Sequence, residues 1–193
     1  MKSIFTTLVF LYFFLGAQAQ NFYDSLAYFG ASQVYDTVVY DGSYYRIPYP
    51  GGDVPKGIGV CTDVVIRAYR KLGIDLQKLI HEDMKVALSD YNKKRKTTAL
   101  DASIDHRRTQ NQETYFERQG GKLDITNNAS DYKPGDLVFW DVAYGHVGIV
   151  TSILVPGTNR YYIVHNIGRG NQIEDFLFGA TIVGHYRWKP QNR

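Results

Sequence analysis

Cys61 is the single cysteine among 193 residues, and it stands just ahead of an apolar periodicity that predicts a helix. A lone cysteine is a buried bystander, one half of an intermolecular bridge, or a free thiol kept for its chemistry. The setting Gly57-Ile58-Gly59-Val60-Cys61-Thr62-Asp63 favours the free thiol, because a sulfur at a helix N-terminus feels the positive end of the macrodipole, which favours thiolate. A cysteine nucleophile needs a base, and the base needs a group to orient it. Five histidines are available: 81, 106, 146, 165 and 185. His146 opens the apolar segment Gly145-His146-Val147-Gly148-Ile149-Val150, and His165 closes the next one, Tyr161 to His165. If those segments are antiparallel strands, both histidines lie at one edge of the sheet, where a helix start carrying Cys61 completes a Cys–His–His set.

The elements that must hold these groups can be read from spacing. Residues 21 to 33 have rough helical spacing through Phe22, Leu26 and Phe29. Val64, Val65, Ala68, Tyr69 and Leu72 form a clear helical face closed by Gly73. Asp75 reads as the N-cap of a further helix with Leu76, Leu79, Ile80, Met84, Ala87 and Leu88 inward. Val38 to Tyr49 is expected to be irregular with a short strand, and Tyr91 to Asn111 is polar and weakly patterned. Four β-prone segments follow: 137–140, 147–150, 161–164 and 182–188. Helices first and an antiparallel sheet second is the α+β pattern, in one domain over residues 20–193.

The start of the chain bounds where it acts. Lys2, the apolar run Ile4 to Leu15 and Ala17-Gln18-Ala19 describe a cleavable signal peptide over residues 1–19, too short to span a membrane comfortably. The expectation is a soluble protein, secreted or periplasmic. A net charge of +3 is too mild to argue for nucleic acid. The basic cluster Lys93-Lys94-Arg95-Lys96 reads as a solvated loop. No H-x-x-x-H or C-x-x-C spacing occurs, so neither metal nor cofactor is expected.

Taken together, Tyr49-Pro50-Gly51-Gly52, Cys61 at a helix start, Gly145-His146-Val147-Gly148-Ile149 and Val164-His165-Asn166 resemble the NlpC-type branch of the papain-like cysteine peptidases. Lys133-Pro134-Gly135-Asp136 ahead of Leu137-Val138-Phe139-Trp140 fits the same superfamily's approach to the histidine strand. The strings Val60 to Arg67, Ile104-Asp105-His106-Arg107-Arg108 and Gly184-His185-Tyr186-Arg187-Trp188 resemble a related exported bacterial family, DUF1287. The resemblance implies a papain-like fold with N-terminal helices packed on the sheet. It implies Cys61 as nucleophile, His146 as base and His165 as orienting residue, with Asn166 in its place if the register shifts by one. It also implies an oxyanion site at the Cys61 N–H, helped by the Tyr49 hydroxyl. The implied reaction is hydrolysis of an amide in the peptide stem of peptidoglycan through an acyl-thioester, by a cysteine peptidase or amidase. NlpC-type enzymes carry Asp-Cys-Ser-Gly at the nucleophile; here Val60 replaces the acid, and Asp63 is the residue placed to take over its substrate contact.

Other residues carry two readings each. His106, Arg107 and Arg108 suit an anionic stem or a structural ion-pair network. His81 and His185 read as structural. The 16 tyrosines suit a carbohydrate or peptide surface or an ordinary β-rich core. The rival to an enzyme is a non-catalytic module that grips cell-wall glycan or peptide on the same scaffold.

Overall fold

The computed structural model describes residues 22–96 and 99–191. The signal-peptide reading lies outside them. Residues 22–31 are helical (α1) and run into a short 3-10 turn, Ser32–Tyr35. Val39–Tyr40 (β1) pairs in parallel with Ile58–Gly59 (β2), a two-residue ribbon leading straight to the cysteine.

Helix α2, Cys61–Lys71, buries the face that the spacing predicts, with Val64, Val65, Ala68 and Tyr69 essentially inaccessible. Gly73, at φ +76°, ends it, and the Ile74 N–H reaches back to the Tyr69 carbonyl at 3.1 Å. Asp75 caps α3, Leu76–Tyr91, by accepting from the Lys78 N–H at 3.2 Å. The polar stretch after it contains a 3-10 turn, Asp105–Arg107, and a fourth helix, α4, Thr109–Arg118.

The second half is a five-stranded antiparallel sheet ordered β6-β5-β4-β3-β7. Its strands are β3 Leu137–Trp140, β4 His146–Leu154, β5 Tyr161–His165, β6 Gln172–Glu174 and β7 Ile182–Tyr186. Every residue of β3 is buried, because the sheet is covered on both faces. One face packs on the helices through Leu137, Phe139, Val147, Ile149 and Val164. The other packs under the loops that carry Tyr132 and Leu177, through Val138, Trp140, Val150 and Ile163. The architecture is therefore α+β, as the order of patterns predicts.

Candidate functional site

The N-terminus of α2 is set by its own third residue. Val60 has no side chain to cap the helix, and the Asp63 carboxylate accepts from the Val60 N–H at 2.8 Å instead. This fixes Cys61, the first helical residue, against β4 with 5% of its surface exposed. Burial pushes its thiol up to about 11, and the Asp63 carboxylate adds to that; the N–H groups of Val147, Thr62 and Cys61 itself pull the other way. The helix N-terminus does favour thiolate, but desolvation outweighs it in the resting protein. Burial therefore works against the thiolate expected from helix position alone.

His146 begins β4, and His165 ends the neighbouring β5. Nε2 of His146 lies 2.8 Å from Nδ1 of His165. Nε2 of His165 lies 2.8 Å from Oε2 of Glu174, whose Oε1 accepts from Arg169 at 2.7 Å. Two glycines make this approach feasible. Gly145 sits at φ +89°, and a Cβ there would fall 2.5 Å from Thr109 Oγ1, so the turn into β4 can press on the start of α4. Gly148 leaves open the space beside β5, where a Cβ would lie 2.5 Å from Ile163 Cγ2 and 3.3 Å from the His165 Cβ. Phe176 covers both imidazoles, with ring centroids 5.8 Å from His146 and 4.8 Å from His165, and Trp140 flanks His146 at 5.7 Å. In this dry setting burial lowers His146 to about 3, with the neighbouring His165 adding to the effect. Burial also lowers His165, while its bond to Glu174 opposes the shift.

Cys61 and His146 line one cleft of about 660 Å³, together with Tyr40, Arg107, Arg108 and Tyr144. Nδ1 of His146 has no hydrogen-bond partner among the described residues, so it is the ring nitrogen left for a substrate or a thiol. Burial raises the Tyr40 phenol, as do the charges of Cys61 and Asp63. Tyr40, in β1, lines the same cleft as the sulfur.

Several residues expected at the site are committed elsewhere. The Tyr49 hydroxyl donates to Glu82 on α3, its ring packs on His81, and it does not line the cleft. Asn166 is fully buried; its Nδ2 donates to the Gly59 carbonyl at 3.2 Å and its Oδ1 accepts from Gly168, so the bond to His146 belongs to His165. Asp63 is taken by Arg107 in a two-pronged pair, 2.9 Å at each contact, with both side chains almost wholly buried. Its carboxylate is a structural group, not a substrate contact. His106 is 1% exposed and does not line the cleft, and its Nδ1 has no partner among the described residues. Burial lowers it to about 3, with Arg107 contributing. Arg108 alone of that run is an exposed cation in the cleft with no acidic partner among the described residues. Lys94, from the basic cluster read as a solvated loop, also lines the cleft and bridges to Glu113 at 2.7 Å.

The chain matches the sequence model of the family described as "Domain of unknown function (DUF1287)" over residues 29–188. It belongs to the DUF1287 family. A curated relative, "Uncharacterized protein YijF" of Escherichia coli (strain K12), is 46% identical over 159 residues, covering 81% of this chain and 77% of the relative. No solved structure matches it. Cys61, His146, His165 and Glu174 all fall inside the DUF1287 match. Of the residues in this DUF1287 site, Glu174, Arg169, Phe176 and Tyr40 are absent from the sequence argument. Glu174 and Arg169 sit in a short polar segment whose charges carry no directional signal.

The buried histidines make the fold acid-sensitive. An unfolded histidine takes a proton near pH 6.5, whereas His106 and His146 resist protonation in the fold until about 3. Below pH 6.5 the unfolded chain binds protons that the native one does not, so stability falls as pH falls. Each of the two accounts for about 2 kcal/mol lost between pH 8 and pH 5. Asp105, raised by burial, acts in the opposite sense. Urea unfolding followed by circular dichroism should show the loss; equal midpoints at pH 8 and pH 5 would refute it.

Proposed function

We propose that this DUF1287 protein is an exported, NlpC-like cysteine hydrolase that cleaves an amide bond in the peptide stems of peptidoglycan. The observation that carries the reading is that a helix-start cysteine shares one cleft with His146, whose ring is hydrogen-bonded from behind by His165. His146 acts as general base through Nδ1 and takes the Cys61 proton as sulfur attacks the amide carbonyl. A resting neutral pair suits this order, because charge then forms only when substrate is in place. The Cys61 N–H and the Tyr40 hydroxyl are the donors for the tetrahedral oxyanion, with Tyr40 in the role first assigned to Tyr49. The protonated base returns its proton to the leaving amine, and water, activated by the same histidine, releases the acyl group from sulfur.

Arg108 supports a substrate with a free carboxylate, since it offers a guanidinium to the cleft without an acid of its own. A cell-wall stem peptide has such groups, and the leader read at residues 1–19 would send the protein to that polymer. The test is mass spectrometry of purified muropeptides incubated with wild type and with Cys61→Ala. New fragments from the wild type alone are expected, and their masses name the bond. Binding of sacculi by both proteins with fragments from neither would replace the hydrolase with a non-catalytic wall-binding module.

A further inference from the structure

A carboxylate can only accept a hydrogen bond, while a neutral imidazole donates from one nitrogen and accepts at the other. Glu174, held from behind by Arg169, therefore requires the hydrogen of His165 to sit on Nε2. Nδ1 of His165 is then a bare acceptor, and the 2.8 Å contact to it requires the hydrogen of His146 to sit on Nε2. That leaves Nδ1 of His146 without a hydrogen, the form a base needs. The tautomer of a ring two links away is thus dictated by one acidic residue on a three-residue edge strand.

We propose that Glu174 is a positioning residue that sets both histidine tautomers and receives, through His165, the positive charge formed when Cys61 gives up its proton. The step balances within the chain. The Cys61 S–H proton passes to Nδ1 of His146, and the Nε2 proton of His146 passes to Nδ1 of His165. His146 is again neutral, and His165 is an imidazolium beside the Glu174 carboxylate. Reversal of both transfers delivers a proton from Nδ1 of His146 to the leaving amine. The geometry gives a reason for the second transfer. His146 is enclosed by the rings of Trp140, Phe176 and His165, which offer a cation no opposite charge. His165 lies one hydrogen bond from a carboxylate, and the charges facing it are Glu174 in favour and Arg169 against. His146 is then the relay and His165 the site where charge rests.

The assignment of tautomers stands apart from the reaction, and only its use in turnover rests on the hydrolase reading. Long-range proton–nitrogen NMR of histidine-labelled wild type should show Nδ1 of His146 unprotonated and Nε2 protonated; the reverse overturns the proposal. Alkylation of Cys61 by iodoacetamide, followed from pH 5 to pH 10, needs no substrate. Glu174→Gln removes the charge and permits either tautomer, and should slow alkylation at pH 7 about tenfold, the size of one pKa unit in the thiol–imidazole pair. Glu174→Asp should recover part of the rate. An alkylation profile for folded Glu174→Gln that superimposes on wild type overturns the proposal and leaves the hydrolase reading untouched. A shifted profile in a protein whose wild type releases no muropeptide fragments supports the relay and removes the hydrolase. If Glu174→Gln does not fold, the wild-type NMR decides alone.

Discussion

His146→Gln is expected to fold, to keep its thiol, and to hydrolyse amide substrate on the order of 10⁴-fold more slowly than wild type at pH 7. Gln is the informative replacement because its amide can still meet Nδ1 of His165, so that a buried acceptor is not abandoned. The size of the effect follows from the thiol. With Cys61 pushed up to about 11 by burial, roughly one sulfur in 10⁴ is ionised at pH 7 when no base assists. The same figure predicts a signature that misfolding would not produce. The residual rate of His146→Gln should rise about tenfold per pH unit between pH 7 and pH 10 as solvent hydroxide takes over the base's role. Wild type, which carries its own base, should respond far less over that range. Turnover within tenfold of wild type, or a flat residual rate, would remove His146 from the chemistry.

The cost of this arrangement appears in stability. The rings of Trp140 and Phe176 bury His146 and keep it neutral, and a neutral imidazole is the form that can accept a proton. The same burial makes the native state resist protons that the unfolded chain accepts below pH 6.5. On the proposed hydrolase reading, acid lability and the base arise from one cause.

What could be read in advance depended on whether a residue's partner was near in sequence or was announced by periodicity. Helix α2 and strands β3, β4 and β5 were legible because their buried positions are apolar and regularly spaced. The meeting of His146 with His165 followed from antiparallel pairing, since one residue starts a strand and the other ends its neighbour. Helix α4 was not legible, because Tyr115 and Phe116, adjacent in sequence, are its only large buried apolar residues, and the rest of its buried face is Thr109, Asn111, Gln112 and Thr114. Gln112 there donates to the His106 carbonyl at 3.0 Å, and Asn111 donates to the Asp105 carbonyl at 2.9 Å. The first turns of this helix are held by hydrogen bonds to irregular backbone, which no hydrophobic period reports, and two aromatics at its end make no period. Tyr40 and Tyr49 could not be ranked either. A hydroxyl's availability depends on what it meets, and Tyr49 meets Glu82 while Tyr40 faces the cleft.

Asp63 and Arg107 give the sharpest separation between a substrate contact and a structural one. Side chains that bind substrate from an open cleft can be removed with a rise in KM and little change in stability. These two are 2% and 6% exposed, joined by two contacts of 2.9 Å, and Asp63 also accepts the Val60 N–H that starts α2. Removing one partner leaves the other charge desolvated without compensation, which costs about 3–5 kcal/mol. Asp63→Ala and Arg107→Ala should each lose that much by urea unfolding, a large share of the stability of a domain this size. Replacing both at once with apolar side chains of similar volume, Asp63→Leu with Arg107→Met, should recover a large part of the loss, because neither charge is then stranded. The double variant would still lack the Val60 cap, so α2 should fray at the residue that carries the thiol, and its amide hydrolysis should stay low after stability returns. Single variants that lose less than 1 kcal/mol while KM rises would return the pair to the substrate.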